Sequence, residues 1–306
     1  MLSLPFTWAR CEAALKNLAE KYPFCRTAVI ATTEFGRTLR TLTIGTGPRR
    51  VLYTAAHHAN EWLTAPLLVR FAEAFAEAVQ TGGTLSGVDA AELAEAATVC
   101  LLPMVDPDGV DLVTGAIDPA TYPYLQAKAL AEHYPQIPFP SGWKANLKGV
   151  DLNLNYPAGW LQAREIKFSQ GFTRPGPRDY VGRYPLDQRE SRALADFTTG
   201  FDPALVLAYH SQGEVIYWQF RDIEVPGARE LGEEFARLSG YELANTPYES
   251  SFAGYKDWFI QEFRRPGYTI EVGLGENPLP PEQLDEIYDK NLPILLRAAQ
   301  GMPNDL

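Results

Sequence analysis

The chain has 306 residues, 46% of them hydrophobic and 21% charged, which is enough for one large α/β domain with a sizeable core. A net charge of −11 argues against nucleic acid or an anionic membrane surface as the main partner. Cys11, Cys25 and Cys100 are scattered with no C-x-x-C pair, which excludes a disulfide framework and fits a reducing compartment.

In chain order, the opening "MLSLPFTWARCEAALKNLAEKYPF" lacks a basic segment followed by an apolar one and reads as a helix over 5–22. No run approaches the ~20 apolar residues of a membrane span, so the expected location is cytoplasmic. "TAVIATT", "LRTLTIG" and "VLYTAAHH" read as strands, and "TAPLLVRFAEAFAEAV" as a long amphipathic helix. "ATVCLLPMV" is a further strand, and "DPDG" at 106–109 reads as a tight scaffold turn. "PYLQAKALAEHY" is helical, whereas the Pro/Gly-rich stretch 134–185 shows few elements and suggests a functional wall. "DPALVLAYHSQ", "EVIYWQF" and "PGYTIEVG" read as strands, and "PGARELGEEFARLSG" and "PEQLDEIYDKNLPILLRAAQ" as helices.

Continuous apolar strands with intervening helices predict an α/β fold: a mixed, mainly parallel central sheet with helices on both faces. No linker divides the chain, so residues 1–306 are expected to form a single domain with the N-terminal helix packed on it.

Sites in open α/β sheets gather at the carboxyl ends of strands. His58 follows "VLYTAA", His210 ends "ALVLAY" and Glu271 ends "YTIE". A catalytic zinc takes three His/Glu-type ligands and keeps one position open. His58 and Glu61 lie three apart at a strand-to-helix junction, and His210 supplies a third ligand from a distant strand. His57 is the rival ligand, but strand alternation points it to the other side.

In these motifs the chain resembles the zinc carboxypeptidases. The likeness runs in order through "HHANEW", "PMVDPDGV", "GVDLNLNYPAGW", "YHSQGEVIYW", "KDWF" and "YTIEVG", across roughly residues 25–300. "WKANLKGVDLNLNYPAGW", "PRDY", "HSQGEVIYW" and "GLGENPLP" resemble the bacterial γ-D-glutamyl-diamino acid peptidase branch of that family.

The resemblance implies one Zn²⁺ held by His58, Glu61 and His210, with Glu271 as general base. Lys144 stands where commoner relatives carry an oxyanion-stabilising arginine, and Arg178 is a second candidate for that role. In "DLNLNY", Asn153 is kept, but Leu154 replaces the arginine that grips a C-terminal carboxylate. Asp151 is expected to support a ligand histidine, and Glu214 to meet the distal amine of diaminopimelate. Tyr248, with Tyr255 as competitor, is the candidate for the family's mobile tyrosine.

The resemblance therefore implies a zinc-dependent hydrolase cutting γ-D-glutamyl–diaminopimelate bonds in peptidoglycan-derived peptides, with a small muropeptide as partner. A conventional metallocarboxypeptidase and a non-catalytic binding module on the same scaffold are the alternatives.

Overall fold

A computed structural model describes residues 5–301. The chain begins with strands β1 (Arg26–Thr32), β2 (Thr38–Ile44) and β3 (Arg49–Thr54). A separate small hairpin follows, made of β4 (Thr84–Leu85) and β5 (Val88–Asp89). Strands β6 (Ala97–Leu102), β7 (Leu205–His210), β8 (Val215–Tyr217), β9 (Glu242–Ala244) and β10 (Gly267–Glu271) complete the main sheet. Its eight strands run in the order β1-β2-β6-β3-β7-β10-β8-β9. The central run β6-β3-β7-β10 is parallel, as is the pair β8–β9. The junctions β1–β2, β2–β6 and β8–β10 are antiparallel.

The longer helices are α1 (Trp8–Lys21), α2 (Thr64–Thr81), α3 (Ala90–Ala96), α4 (Pro107–Val113) and α5 (Tyr122–Ala131). They are followed by α6 (Trp160–Ser169), α7 (Arg189–Phe201), α8 (Ala228–Ser239), α9 (Tyr255–Phe263) and α10 (Leu284–Gln300). Apolar side chains of α1, α2, α3, α8 and α10 pack on one sheet face with Val51, Tyr53, Leu205 and Leu207. On the other face α6, α7 and α9 cover Leu52, Val206 and Ala208. The strict alternation Val51, Leu52, Tyr53 between the two cores explains why these strands read as unbroken apolar runs. Burying each large side chain stabilises the fold by roughly 1.5–3 kcal/mol. No helix among the described residues is long and apolar enough to cross a membrane.

The structure departs from the sequence reading in several places, among them α3, the β4–β5 hairpin and β9, for which no element was expected. "DPDG" opens α4 rather than forming an isolated turn: Asp106 caps the helix by accepting from the Gly109 amide (3.0 Å), with Pro107 in the first turn. Gly109 is required by packing, since a Cβ there would meet Asp106 Oδ2 at 2.1 Å and the Ala145 carbonyl at 2.7 Å. The strand predicted to run through His58 ends at Thr54, because Ala56 adopts a left-handed φ of 48° and turns the chain. Finally, α6, α7 and α9 lie where no helix was expected. The apolar pattern of α6 and α9 is weak, and burial against the second core makes up the deficit, whereas α7 is amphipathic and carries an ordinary helical signal.

Candidate active site

The parallel strands β3, β7 and β10 are neighbours, so their carboxyl ends open on one shelf. His210 is the last residue of β7 and stands in register with Glu271, the last residue of β10. After β3, a short 3₁₀ turn at Ala59–Glu61 brings His58 and Glu61 back over the same shelf.

Three side chains converge there. Glu61 Oε1 lies 2.9 Å from His58 Nδ1, and Glu61 Oε2 lies 2.8 Å from His210 Nδ1. The two Nδ1 atoms are 3.2 Å apart. All three residues are buried, and their ligand atoms lie within 4.8 Å of one another. Two imidazole nitrogens and a carboxylate aimed at one point form the donor set a zinc ion takes. The orientation is imposed from behind: His58 Nε2 is 3.0 Å from Asp151 Oδ1, which leaves the Nδ1 lone pair facing the cluster. Asp151 is in turn held by the Asn153 and Asp179 amides, at 3.1 and 3.3 Å. The Ser211 amide donates to Glu61 Oε2 (3.2 Å). His57 is not part of the cluster: its ring stacks behind His210, with centroids 5.4 Å apart, and lies close to Tyr156 and Tyr255.

The electrostatics match this arrangement. Burial alone would raise the Glu61 carboxyl, but His58, Lys144 and His210 outweigh it and hold it well below the ordinary range. Burial would lower His58, yet the Glu61 and Asp151 carboxylates lift it to about 9 despite Lys144. For His210, burial wins and the imidazole is lowered. Burial, reinforced by Glu61, pushes the Glu271 carboxyl up to about 8 against the pull of Lys144 and His58.

Lys144, Asn153, Leu154, Arg178 and Glu271 line one cleft of about 240 Å³ together with His58. The Lys144 ammonium is 3.0 Å from Glu61 Oε1, directly beside the ligand cluster. Arg178 is tied instead to Asp179, with Nε 2.6 Å from Oδ2. Asn153 Oδ1 accepts from the Tyr255 amide (3.0 Å), fastening the wall to the start of α9.

Two expectations need correction. Glu214 does not line the cleft; its carboxylate is paired 2.6 Å from Lys290 on α10, where it is neutralised. Tyr255 does not compete with Tyr248 as a mobile residue, because it is fully buried with its hydroxyl 2.8 Å from Thr198 Oγ1. Tyr248 is 67% exposed, between the cleft-lining residues Pro247 and Ser250. Sequence reasoning also missed Lys167, Asp179, Lys256 and Asp257, all of which line the cleft. Nothing in their spacing brings Lys167 to Asp179; the fold alone sets the 2.7 Å pair.

Comparison with known proteins agrees with this geometry. Residues 11–294 match the family model described as zinc carboxypeptidase. The chain is 43% identical over 282 residues to γ-D-glutamyl-L-diamino acid endopeptidase 1 of Lysinibacillus sphaericus, covering 92% of this chain and 69% of that protein. Among solved structures, carboxypeptidase A of Helicoverpa armigera superposes with a TM-score of 0.70 at 19% identity, covering 95% of this chain and 72% of that one. Murein-tripeptide amidase MpaA of Escherichia coli O157 superposes with a TM-score of 0.56 at 19% identity, covering 91% and 93%.

Proposed function

The chain belongs to the zinc carboxypeptidase family, and from that premise we propose that it cleaves the amide bond between γ-D-glutamate and meso-diaminopimelate, or another diamino acid, in peptidoglycan-derived peptides. It is a zinc metallopeptidase, and His58, Glu61 and His210 would hold its one ion. The observation that carries the substrate assignment is Leu154, an aliphatic side chain in the cleft wall where the commoner relatives use an arginine to grip a C-terminal carboxylate. The 43% identity to a γ-D-glutamyl-L-diamino acid endopeptidase supports the same reading. A single domain is supported by one eight-stranded sheet whose neighbouring strands β3, β7 and β10 meet at the site. A reducing, cytoplasmic setting is supported by three free, buried cysteines.

A bound zinc ion supplies a Lewis acid and lowers the pKa of water. The remaining work falls to the chain's own residues. Glu271 takes a proton from the attacking water and returns one to the departing amine. Lys144, beside Glu61, aims positive charge at the oxygen on which negative charge develops. Asp151 keeps His58 in the required tautomer.

The test is a comparison of two substrates on the zinc-loaded enzyme: L-Ala-γ-D-Glu-meso-diaminopimelate and an amine-blocked ordinary dipeptide. The tripeptide is expected to be cut faster. Faster cleavage of the dipeptide gives the case to conventional carboxypeptidase activity.

A further inference from the structure

Leu154 leaves the cleft without the usual carboxylate grip, yet the substrate proposed above is rich in carboxylates. The charged side chains of the cleft wall show where one is read. Lys144 is matched by Glu61 at 3.0 Å, and Lys256 by Asp257 at 2.5 Å with a further bond to the Gln219 carbonyl at 2.7 Å. Asp179 is different, because one carboxylate serves two cations. Its Oδ1 lies 2.7 Å from Lys167 Nζ and its Oδ2 lies 2.6 Å from Arg178 Nε. The trio therefore keeps one net positive charge in the cleft. Arg178 spends only Nε on Asp179; its terminal nitrogens make no hydrogen bond among the described residues, and 42% of the side chain is exposed. That exposed end of the guanidinium is a planar, two-donor surface suited to a carboxylate.

The trio is also built rigidly. Lys167 and Asp179 are buried, and Asp179 holds a left-handed φ of 64° that a non-glycine residue adopts at a cost. The Asp179 amide donates to Asp151, the residue that orients His58. The Pro177 carbonyl accepts from both the Lys144 and Ala145 amides, at 2.7 and 2.9 Å, which fixes Arg178 next to Lys144.

The chemistry of a γ-linked glutamyl residue fits two adjacent cations. The bond to be cut is on its side-chain carbonyl, so its α-carboxylate stays free, a short aliphatic arm away from the reacting carbon. An α-linked residue other than glutamate carries no carboxylate at that place, and an α-linked glutamate carries its acylamino group next to the reacting carbon instead. Resting on the function proposed above, the geometry points to Arg178, held by Asp179 that Lys167 anchors in turn, as the residue that reads this free α-carboxylate and so selects the γ-linked glutamyl residue over residues with no carboxylate there. Lys144 then faces the carbonyl oxygen of the same residue.

The experiment compares kcat/KM of the zinc-loaded protein on L-Ala-γ-D-Glu-meso-diaminopimelate and on the same peptide with the glutamyl α-carboxylate converted to its amide. For Arg178→Gln, the free acid loses roughly 10- to 100-fold, mainly through KM, while the amide changes little. Arg178→Lys recovers part of the loss on the free acid, since a lysine keeps the charge without the fork. An equal fall on both peptides, or no fall on either, overturns the inference and leaves the proposed function standing. If the unaltered protein cuts neither peptide but does cut an ordinary dipeptide, the proposed function fails and this inference with it. Zinc content of each variant checks folding, and if Arg178→Gln does not fold, the acid-to-amide ratio of Arg178→Lys decides.

Discussion

One side of the cleft is a shelf of strand ends, and the other is a largely irregular wall running from Lys144 to Asp179, with α6 as its one longer helix. The shelf is held by the parallel ladder, in which Glu271 and His210 stand in register and each strand is buried on both faces. The wall has no ladder. Its backbone is carried by single bonds, such as Asp151 N to the Tyr180 carbonyl (2.8 Å) and the Lys144 amide to the Pro177 carbonyl (2.7 Å), and by buried ion pairs. The difference divides the labour. Strand ends present His210 and Glu271, the proposed base, and the short turn after β3 presents His58 and Glu61, a cluster whose geometry tolerates little error. Irregular structure presents Lys144 and Asp151 beside the ligand cluster and, farther out, Arg178 and Leu154, the groups proposed to meet a particular substrate.

The largest expected effect lies on the shelf. Glu271→Gln should lower kcat by roughly 10²- to 10⁴-fold while zinc stays bound, read by steady-state kinetics beside metal analysis. Near-normal turnover in that variant removes Glu271 from the reaction and breaks the division just drawn.

A smaller effect tests whether wall and shelf are as separate as their backbones suggest. Asp151 belongs to the wall, yet it touches a ligand of the shelf at 3.0 Å. Asp151→Asn should weaken zinc binding by roughly 10- to 100-fold, measured by competition with a chelator. Unchanged affinity means that His58 is oriented by the shelf alone.

A third effect concerns stability beneath the wall. Glu190, buried at the start of α7, has its carboxyl pushed by burial from 4.5 to about 7, with Asp108 adding to the shift. A carboxyl raised in the folded state stabilises in its neutral form. That contribution is complete below about 4.5 and is lost as pH rises to about 7. Glu190→Gln should therefore flatten the decline in unfolding free energy between these limits by up to ~3 kcal/mol, followed by urea denaturation across pH. A decline of undiminished slope assigns the pH dependence to other groups of the wall.

Much of the shelf was legible in the sequence, because β-strand alternation and apolar runs are local properties. "VLYTAA", "ALVLAY" and "YTIE" announce their strands, and each ends on or just before a group with proton- or metal-handling chemistry. The spacing of His58 and Glu61 is likewise local, and Leu154 in "DLNLNY" stood out against a familiar pattern. The other groups around the cleft were legible only in part: Lys144, Asp151, Leu154 and Arg178 of the wall stand in recognisable motifs, but Lys167 does not, and residues elsewhere mislead. Glu214 lies close in sequence to His210, but the left-handed φ of 52° at Glu214 goes with a carboxylate that pairs with Lys290 instead of the cleft. Tyr255 and Tyr248 are equally aromatic on paper, yet one is locked in the core and the other is exposed.

By itself, then, the sequence singled out His58, Glu61 and His210 as a metal-ligand set and Glu271 at a strand end. Tertiary structure alone decided that β3, β7 and β10 are neighbours, that Asp151 backs His58, and that Lys167 and Arg178 share Asp179. The physical reason is range. Periodicity and turn chemistry act over a few residues, whereas ion pairs and burial join positions whose separation along the chain carries no signal.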